Sequence, residues 1–120
     1  MPDLKITEHM TGQDKMIHVL VLDGSIDAYN SEILSEKLEA AFKLGHSRII
    51  VDCTALKFIS SSGMGVFIGC EDDLLERKGG LKFVAVPEKI ANIFTKVGVA
   101  DIFKMYPSEA LAEADFLKGV

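Results

Sequence analysis

Three consecutive serines, Ser60, Ser61 and Ser62, stand directly before Gly63 at the predicted start of a helix, in the stretch FISSSGMGVF (58–67). One of them is enough to cap the helix, because a serine hydroxyl accepts a hydrogen bond from a backbone N–H that the helix leaves unpaired. The same unpaired N–H groups and the positive end of the helix dipole stabilise an added anion. A serine here can therefore carry a phosphate, which brings about −1.5 to −2 charges at neutral pH. From the residues alone, capping and phosphorylation both remain open.

The helix behind the serines is predicted over residues 61–78 and has two unlike sides. Its apolar side carries Phe67, Cys70 and Leu74, widened by Met64, Ile68 and Leu75, and its polar side carries Gly65, Gly69, Asp72 and Glu76. An exposed glycine in a helix costs up to about 1 kcal/mol relative to alanine. The two glycines therefore either leave a shallow strip that a partner's backbone can approach, or pack against another element of this domain.

The elements that must position this helix follow from the spacing of apolar residues. Strands are predicted at residues 4–9, 16–22, 48–53 and 81–86, with a short one in IFKMY (102–106). A helix capped by Asn30 or Ser31 stops at Gly45, another opens at Pro87 and ends at Gly98, and a last one begins at Ser108. The apolar faces of the first two are Ile33, Leu34, Leu38, Ala41 and Phe42, and Ile90, Ile93, Phe94 and Val97. The order predicts an α/β fold, a mixed sheet of four to five strands covered by about four helices.

Length and composition limit the class of protein. The chain has 120 residues, 48% of them hydrophobic, and a net charge of −5, which suits one domain over residues 1–120. It shows no basic stripe for nucleic acid, no apolar run of the roughly 20 residues that span a bilayer, and no signal-peptide pattern. We therefore expect a cytoplasmic protein that binds neither nucleic acid nor membrane directly, with Cys53 and Cys70 as small buried thiols. The sequence offers no cofactor motif and no metal-ligand spacing, so neither a cofactor nor a metal is expected.

Three stretches, taken with the spacing between them, resemble the STAS domain, and more narrowly the bacterial anti-sigma factor antagonists. They are LDGSID (22–27), RIIVDCTALKFISSSGMGVFIG (48–69) and GGLKFVAVPEKIANIFTKVGVADIF (79–103). The resemblance covers nearly the whole chain without a large insertion. Its most specific part is a strand that ends in an aspartate-containing turn, followed by an apolar pair and a serine-rich helix start.

The resemblance implies a regulatory switch. In this family an anti-sigma factor that is also a serine kinase binds the unphosphorylated antagonist and frees the sigma factor, phosphorylation ends that binding, and a PP2C-type phosphatase reverses it. The family motif Asp-Ser-Ser-Gly-Leu-Gly falls on residues 60–65, which makes Ser61 the acceptor, with Ser60 and Ser62 as alternatives, and puts Ser60 where the family has aspartate. We expect Met64 to be exposed, the protein alone to be a monomer, and the following residues to contact the partner: Gly24, Asp27, Ser60, Ser62, Gly63, Met64, Gly65 and Gly69.

Other readings of the sequence are weaker. The histidines His9, His18 and His46 are scattered, and none is placed as a base for the serines, which argues against an enzyme. A receiver domain would use Asp52 as acceptor but needs an acidic pair after the first strand, which the chain lacks. The serious alternative is a STAS module without a phosphorylation cycle, used as a signalling scaffold or a transporter-associated subunit. The serine in place of the family's aspartate keeps that alternative open.

Overall fold

The computed structural model describes residues 3–12 and 16–118. In the described part of the chain five strands and four helices follow one another in the predicted order, so the α/β fold is confirmed. The strands are β1 (Leu4–Thr11), β2 (Ile17–Ile26), β3 (Arg48–Ile59), β4 (Gly80–Val84) and β5 (Lys104–Tyr106). The helices are α1 (Ser31–Lys43), α2 (Ser61–Glu76), α3 (Glu88–Lys96) and α4 (Glu109–Lys118).

The sheet is mixed and its strands lie in chain order. β1 pairs antiparallel with β2, and all later neighbours are parallel. In the pairing of β2 with β3, Ile26 lies opposite Ile59, so the two strands end together. The helices that follow them, α1 and α2, therefore begin at the same edge of the sheet, which we call the serine edge.

Two cores lie on opposite faces of the sheet. α1, α2 and α3 pack on one face, where Phe67, Phe83, Phe94 and Phe103 meet with ring centroids 4.8–6.3 Å apart. Burial of each ring contributes about 1.5–3 kcal/mol, and each aromatic pair adds about 0.5–1.5 kcal/mol. α4 covers the other face through a smaller cluster made of Ile17, Val19, Ile50, Val84, Ala112 and Phe116. The serine helix is thus held by the larger core.

The structure differs from the sequence-based expectation in a few elements. β3 continues beyond the predicted end at residue 53 to Ile59, so the strand runs directly into the serines. Ile33 and Val97 were expected on apolar faces but are 48% and 50% exposed, because Ile33 lies on the flank of α1 and Val97 is the C-cap of α3. Pro87 is the N-cap of α3 instead of its first residue. Both cysteines are free thiols, with Cys53 buried and Cys70 partly buried.

Candidate functional site

The first serine joins the end of the sheet to the start of α2. The backbone N–H of Ser60 donates to the carbonyl of Ile26 at 2.8 Å, and the extended backbone of Ser60 makes it the N-cap. Its Oγ accepts from the N–H of Gly63 at 3.2 Å and lies 2.8 Å from Oγ of Ser62. Two of the three hydroxyls are therefore engaged with each other and with the cap of the helix.

Ser61 differs from its neighbours. It is the first residue of α2 and is exposed, and within the described residues no hydrogen-bond partner is found for its hydroxyl. The first turn of α2 carries no acidic side chain that would offset the positive end of the helix dipole. An anion attached to Ser61 would meet that uncompensated helix end, so the local geometry suits a phosphate acceptor.

Asp27 holds the turn beside the serines. Its Oδ1 accepts from the N–H groups of Tyr29 and Asn30 at 2.9 and 2.8 Å, and Asn30 Oδ1 accepts from the N–H of Asp27 at 2.8 Å. Neither candidate side chain caps α1 as predicted, because Asn30 is occupied by these bonds and Ser31 Oγ donates to the carbonyl of Ala28. Since Asp27 follows the residue that binds the N–H of Ser60, its carboxylate lies at the serine edge.

Gly24 is required by the backbone. Its φ of +115° is in the left-handed region, and a Cβ there would lie 1.9 Å from the carbonyl oxygen of Asp3. The N–H of Ser25 donates to that same oxygen at 3.1 Å. This close approach of β2 to the start of β1 accounts for the glycine, and its predicted contact with a partner stays a prediction.

The expectation that Met64 is exposed is wrong. Met64 is 2% exposed because it shares the side of α2 that faces the sheet with Phe67 and Leu74. Gly63 is buried on the same side, and a Cβ there would lie 2.7 Å from Cγ2 of Ile26 and 2.9 Å from Cγ1 of Ile59. In this structure Gly63 and Met64 pack between the serine helix and the sheet and are not on its exposed side.

Gly65 and Gly69 lie on the outer side of the helix. Both are exposed, and a Cβ at either would meet nothing within 4 Å, so of the two alternatives that the sequence left open the structure shows the open strip. They line a groove of about 470 Å³ between α1 and α2. The other lining residues are Ser35, Leu38, Glu39, Phe42, Val66, Cys70 and Asp73. Burial, with Glu71 and Asp73 nearby, raises the pKa of Cys70 to about 11, so this thiol is not a reactive thiolate near neutral pH.

Two exposed aromatic residues at the serine edge were missed by the sequence analysis. Tyr29 is 90% exposed in the turn after β2, and Phe58 is 44% exposed near the end of β3, opposite Ser25. Exposed aromatic side chains are favoured at protein interfaces because they bury much apolar area on contact. A sequence signal was present for Phe58, which precedes the serines by two residues.

The structure brings two of the three histidines together, away from the serines. His18 and His46 share an Nδ1–Nδ1 contact of 3.0 Å, and Nε2 of His18 lies 2.9 Å from Glu8 Oε1. Burial, and then the neighbouring His18, lowers the pKa of His46. His9 instead contacts Glu109 of α4. In residues 3–12 and 16–118 no group of three potential metal ligands occurs, and no helix there is long and apolar enough to cross a membrane.

Comparison with known proteins places this geometry in a family. A sequence model of the STAS domain matches residues 8–112. The anti-sigma-B factor antagonist of Listeria monocytogenes is 28% identical over 83 residues, covering 68% of this chain and 72% of that protein. The solved structure of the anti-sigma factor antagonist SpoIIAA in its unphosphorylated form superposes with a TM-score of 0.72 at 20% identity, covering 97% of this chain and all of the other.

A second solved structure is that of the Bacillus cell fate determinant SpoIIAA in the phosphorylated form. It gives a TM-score of 0.70 at 21% identity, over 92% of this chain and 98% of that one. At such identities the solved structures establish the fold, and the match of the family model over most of the chain establishes the family. This chain belongs to the STAS domain family.

Proposed function

We propose that this protein is an anti-sigma factor antagonist whose unphosphorylated form binds an anti-sigma factor with serine kinase activity and so releases a sigma factor. The observation that carries the proposal is the exposed Ser61 at an uncompensated helix N-terminus, beside the open groove between α1 and α2. The names of the sequence relatives support the general role, which is that of a regulatory binding protein and not of an enzyme.

The docking region is a surface that we call the switch surface, made of Tyr29, Phe58, Ser61, Ser62, Gly65 and Gly69. Its two aromatic residues are exposed near the ends of β2 and β3, and the glycines of its groove leave room for a close backbone. Removing aromatic area from water on binding contributes roughly 25 cal/mol per Å² before the costs of association. Neutral hydroxyls add polar contacts without a charge to desolvate. The surface is therefore suited to binding in its unmodified state.

Ser61 is the best placed acceptor of the three serines. Ser60 and Ser62 are hydrogen-bonded to each other and Ser60 also caps α2, whereas the Ser61 hydroxyl points to no such partner in the described residues. A phosphate on Ser61 would bring about two negative charges to the switch surface, close to Asp27. Desolvating that charge opposes docking, and a loss of only 1.4 kcal/mol weakens binding about tenfold. The switch needs no change of fold, and a PP2C-type phosphatase would reset it.

The serine at position 60 preserves the helix start that the family's aspartate would make. Both residue types are strong N-caps, and here Ser60 Oγ accepts from the N–H of Gly63 at 3.2 Å. The substitution therefore removes a negative charge beside the acceptor without removing the cap. This charge difference affects recognition by the kinase and not the position of Ser61.

Mass spectrometry of the protein purified from its native cells tests the proposal, with fragment ions to locate the phosphate and Ser61→Ala as control. We expect a phosphate on Ser61 that is absent from the control. A phosphate on Ser60 or Ser62 would keep the cycle but change the acceptor. No phosphate during growth, starvation or stress would contradict the cycle and favour a STAS binding module that works without one.

A second test separates charge from position. Ser61→Asp should weaken capture of the anti-sigma factor by this protein about tenfold or more, whereas Ser61→Ala should retain it. The matched control is Asn92→Asp, which adds the same charge at an exposed site on α3. Equal weakening by Ser61→Asp and Asn92→Asp would show that net charge, and not the switch surface, governs binding.

A further inference from the structure

A pocket lined by five cationic side chains lies away from the switch surface. It has a volume of about 350 Å³, and we call it the basic pocket; its cations are Arg48, Lys78, Lys82, Lys104 and Lys118. Asp115 is its single carboxylate, and Gly79 and Phe116 complete the lining. The chain has 13 basic residues against 18 acidic ones, so five cations around one pocket are a strong local departure from its overall charge.

The register of the sheet brings three of these cations together. Arg48 lies opposite Gly80 in the pairing of β3 with β4, and Lys82 lies opposite Lys104 in the pairing of β4 with β5. Side chains two residues apart on a strand share a face, and paired strands lie about 4.8 Å apart. Arg48, Lys82 and Lys104 therefore project from three adjacent strands on the face that α4 covers, and Lys118 joins them from the end of α4.

The carboxylate in the pocket is already engaged. Lys82 is 8% exposed, and its Nζ lies 2.8 Å from Asp115 Oδ2 and 3.2 Å from the hydroxyl of Tyr106. Tyr106 also donates to Asp115. The bonds from Lys82 and Tyr106 lower the pKa of Asp115 to about 2, so this carboxylate stays ionised and paired. It pairs with Lys82, and Lys104 also lies close enough to lower its pKa and that of Glu71, so the five cations still outnumber the carboxylates near them.

No ion pair is found for the other four cations in the described part of the chain. Two of them lie near a negative helix end that a cation offsets, because Lys118 is in the last turn of α4 and Lys78 directly follows Arg77, the C-cap of α2. Arg48 and Lys104 begin strands and have no such helix end of their own. Like charges around one pocket repel each other, and a bound anion would reduce that repulsion.

We propose that the basic pocket binds an oligophosphate anion, either an inorganic phosphate chain or the phosphate tail of a nucleotide. Charge-assisted bonds from lysine and arginine to phosphate oxygens are short and strong, and a pocket of this volume falls in the range of small-ligand sites. Arg48 begins β3 and Ser60 follows its end, so the pocket and the serine edge are roughly 35 Å apart along the strand. A ligand in the pocket therefore leaves the switch surface open, and this proposal does not depend on the proposed function.

The test is a titration of the full chain with sodium triphosphate, monitored by ¹H–¹⁵N correlation spectra. The ionic strength is held constant so that the screening of charges does not change during the titration. We expect saturable shifts centred on residues 48, 78–82, 104 and 118. Arg48→Gln with Lys104→Gln should raise the dissociation constant about tenfold, which corresponds to about 1.4 kcal/mol. Lys89→Gln with Lys96→Gln, two exposed lysines on α3, makes the same charge change outside the pocket and should leave the dissociation constant unchanged.

A parallel titration with ATP identifies the source of the phosphate. Equal affinity for triphosphate and ATP would show that the phosphate chain alone is bound, and tighter binding of ATP would assign the site to a nucleotide. Shifts that do not saturate, or an equal loss of affinity in the two double variants, would overturn the proposal. The spectra of the variants without ligand report whether each one is folded.

Discussion

The two sides of α2 differ in packing: one is buried and supports stability, and the other is open, as the proposed binding role requires. The side toward the sheet contains Gly63, Met64, Phe67 and Leu74, all buried, and space there is so tight that a methyl group on Gly63 has no room. The outer side contains Ser61, Gly65 and Gly69, all exposed, with open space around both glycines. Residues one or two positions apart in sequence therefore lie in opposite environments, one packed against the sheet and the other exposed to solvent.

The difference shows that glycine has two unrelated roles within one motif. In the sequence SSGMG the first glycine is required by packing and the second is not. The second lowers the helix propensity of α2 by up to about 1 kcal/mol without a packing reason. No packing contact within the protein offsets this loss of helix propensity at Gly65. Such a loss is expected where a surface stays open for a partner.

The largest test of this comparison removes a ring from the packed side. Phe67 is fully buried and contacts Phe83 and Phe103, so Phe67→Ala should lower the free energy of unfolding by about 3–5 kcal/mol. Its neighbour Ile68 is 39% exposed, and Ile68→Ala should cost less than about 1 kcal/mol. Urea denaturation of both variants measures the difference, and similar losses would show that α2 is not divided into a packed and an open side.

The next test adds a single methyl group to the packed side. At Gly63 a new Cβ would lie 2.7 Å from Ile26 and 2.9 Å from Ile59, so Gly63→Ala should lower the free energy of unfolding by about 1–3 kcal/mol. The branched side chains on β2 and β3 have little freedom to move away, because both residues are at most 2% exposed. A stabilised Gly63→Ala protein in urea denaturation would contradict the tight contact.

Replacing glycine by alanine two residues later, at Gly65, should have the opposite effect on the free energy of unfolding. Gly65→Ala meets no atom within 4 Å and replaces the poorer helix former, so the free energy of unfolding should rise by up to about 1 kcal/mol. The pair Gly63→Ala and Gly65→Ala uses one chemical change on one helix. If urea denaturation shows both variants destabilised, the outer side of α2 is packed and not open.

Much of this fold was predictable because periodic apolar segments and glycine or proline stops are local signals. The order of elements and the helix behind the serines followed from them. The exposure of Met64 was predicted wrongly because docking on its hydrophobic side chain was assumed, whereas the spacing Met64–Phe67–Leu74 already placed it toward the sheet. Local spacing cannot show whether a neighbouring helix covers Gly65, so only the structure could decide that the groove is open.

Other parts of the site depend on pairing between distant segments. The N–H of Ser60 binds Ile26, and this contact brings Asp27 to the serine edge from more than thirty positions earlier in the chain. The five cations of the basic pocket come from separate parts of the chain, and the register of three strands brings three of them together. In the sequence they are dispersed, which is why no basic stripe was visible.

The smallest test concerns a polar group on the packed side of α2. Glu71 is 6% exposed, and its carboxylate accepts from the N–H of Leu81 at the start of β4, at 3.2 Å through Oε2. Burial raises the pKa of Glu71 above its ordinary value of 4.5, although the Leu81 N–H and Lys82 act in the opposite direction. The folded chain therefore holds this proton to a higher pH than the unfolded chain does.

The sign of the pH dependence follows from that difference. The stabilising contribution of the Glu71 proton is complete below about pH 4.5 and is lost as the pH rises through the higher pKa of the folded state. Glu71→Gln cannot lose a proton and its side-chain oxygen can still accept from Leu81, so its stability relative to the original protein should increase as the pH rises from 4 to 8. Urea denaturation across that range measures the trend, with Glu76→Gln at the exposed end of the same helix as control. A constant difference between the Glu71→Gln variant and the original protein would mean that folding does not raise the pKa of this carboxylate. Water would then reach the packed side of α2 at Glu71 in spite of its burial.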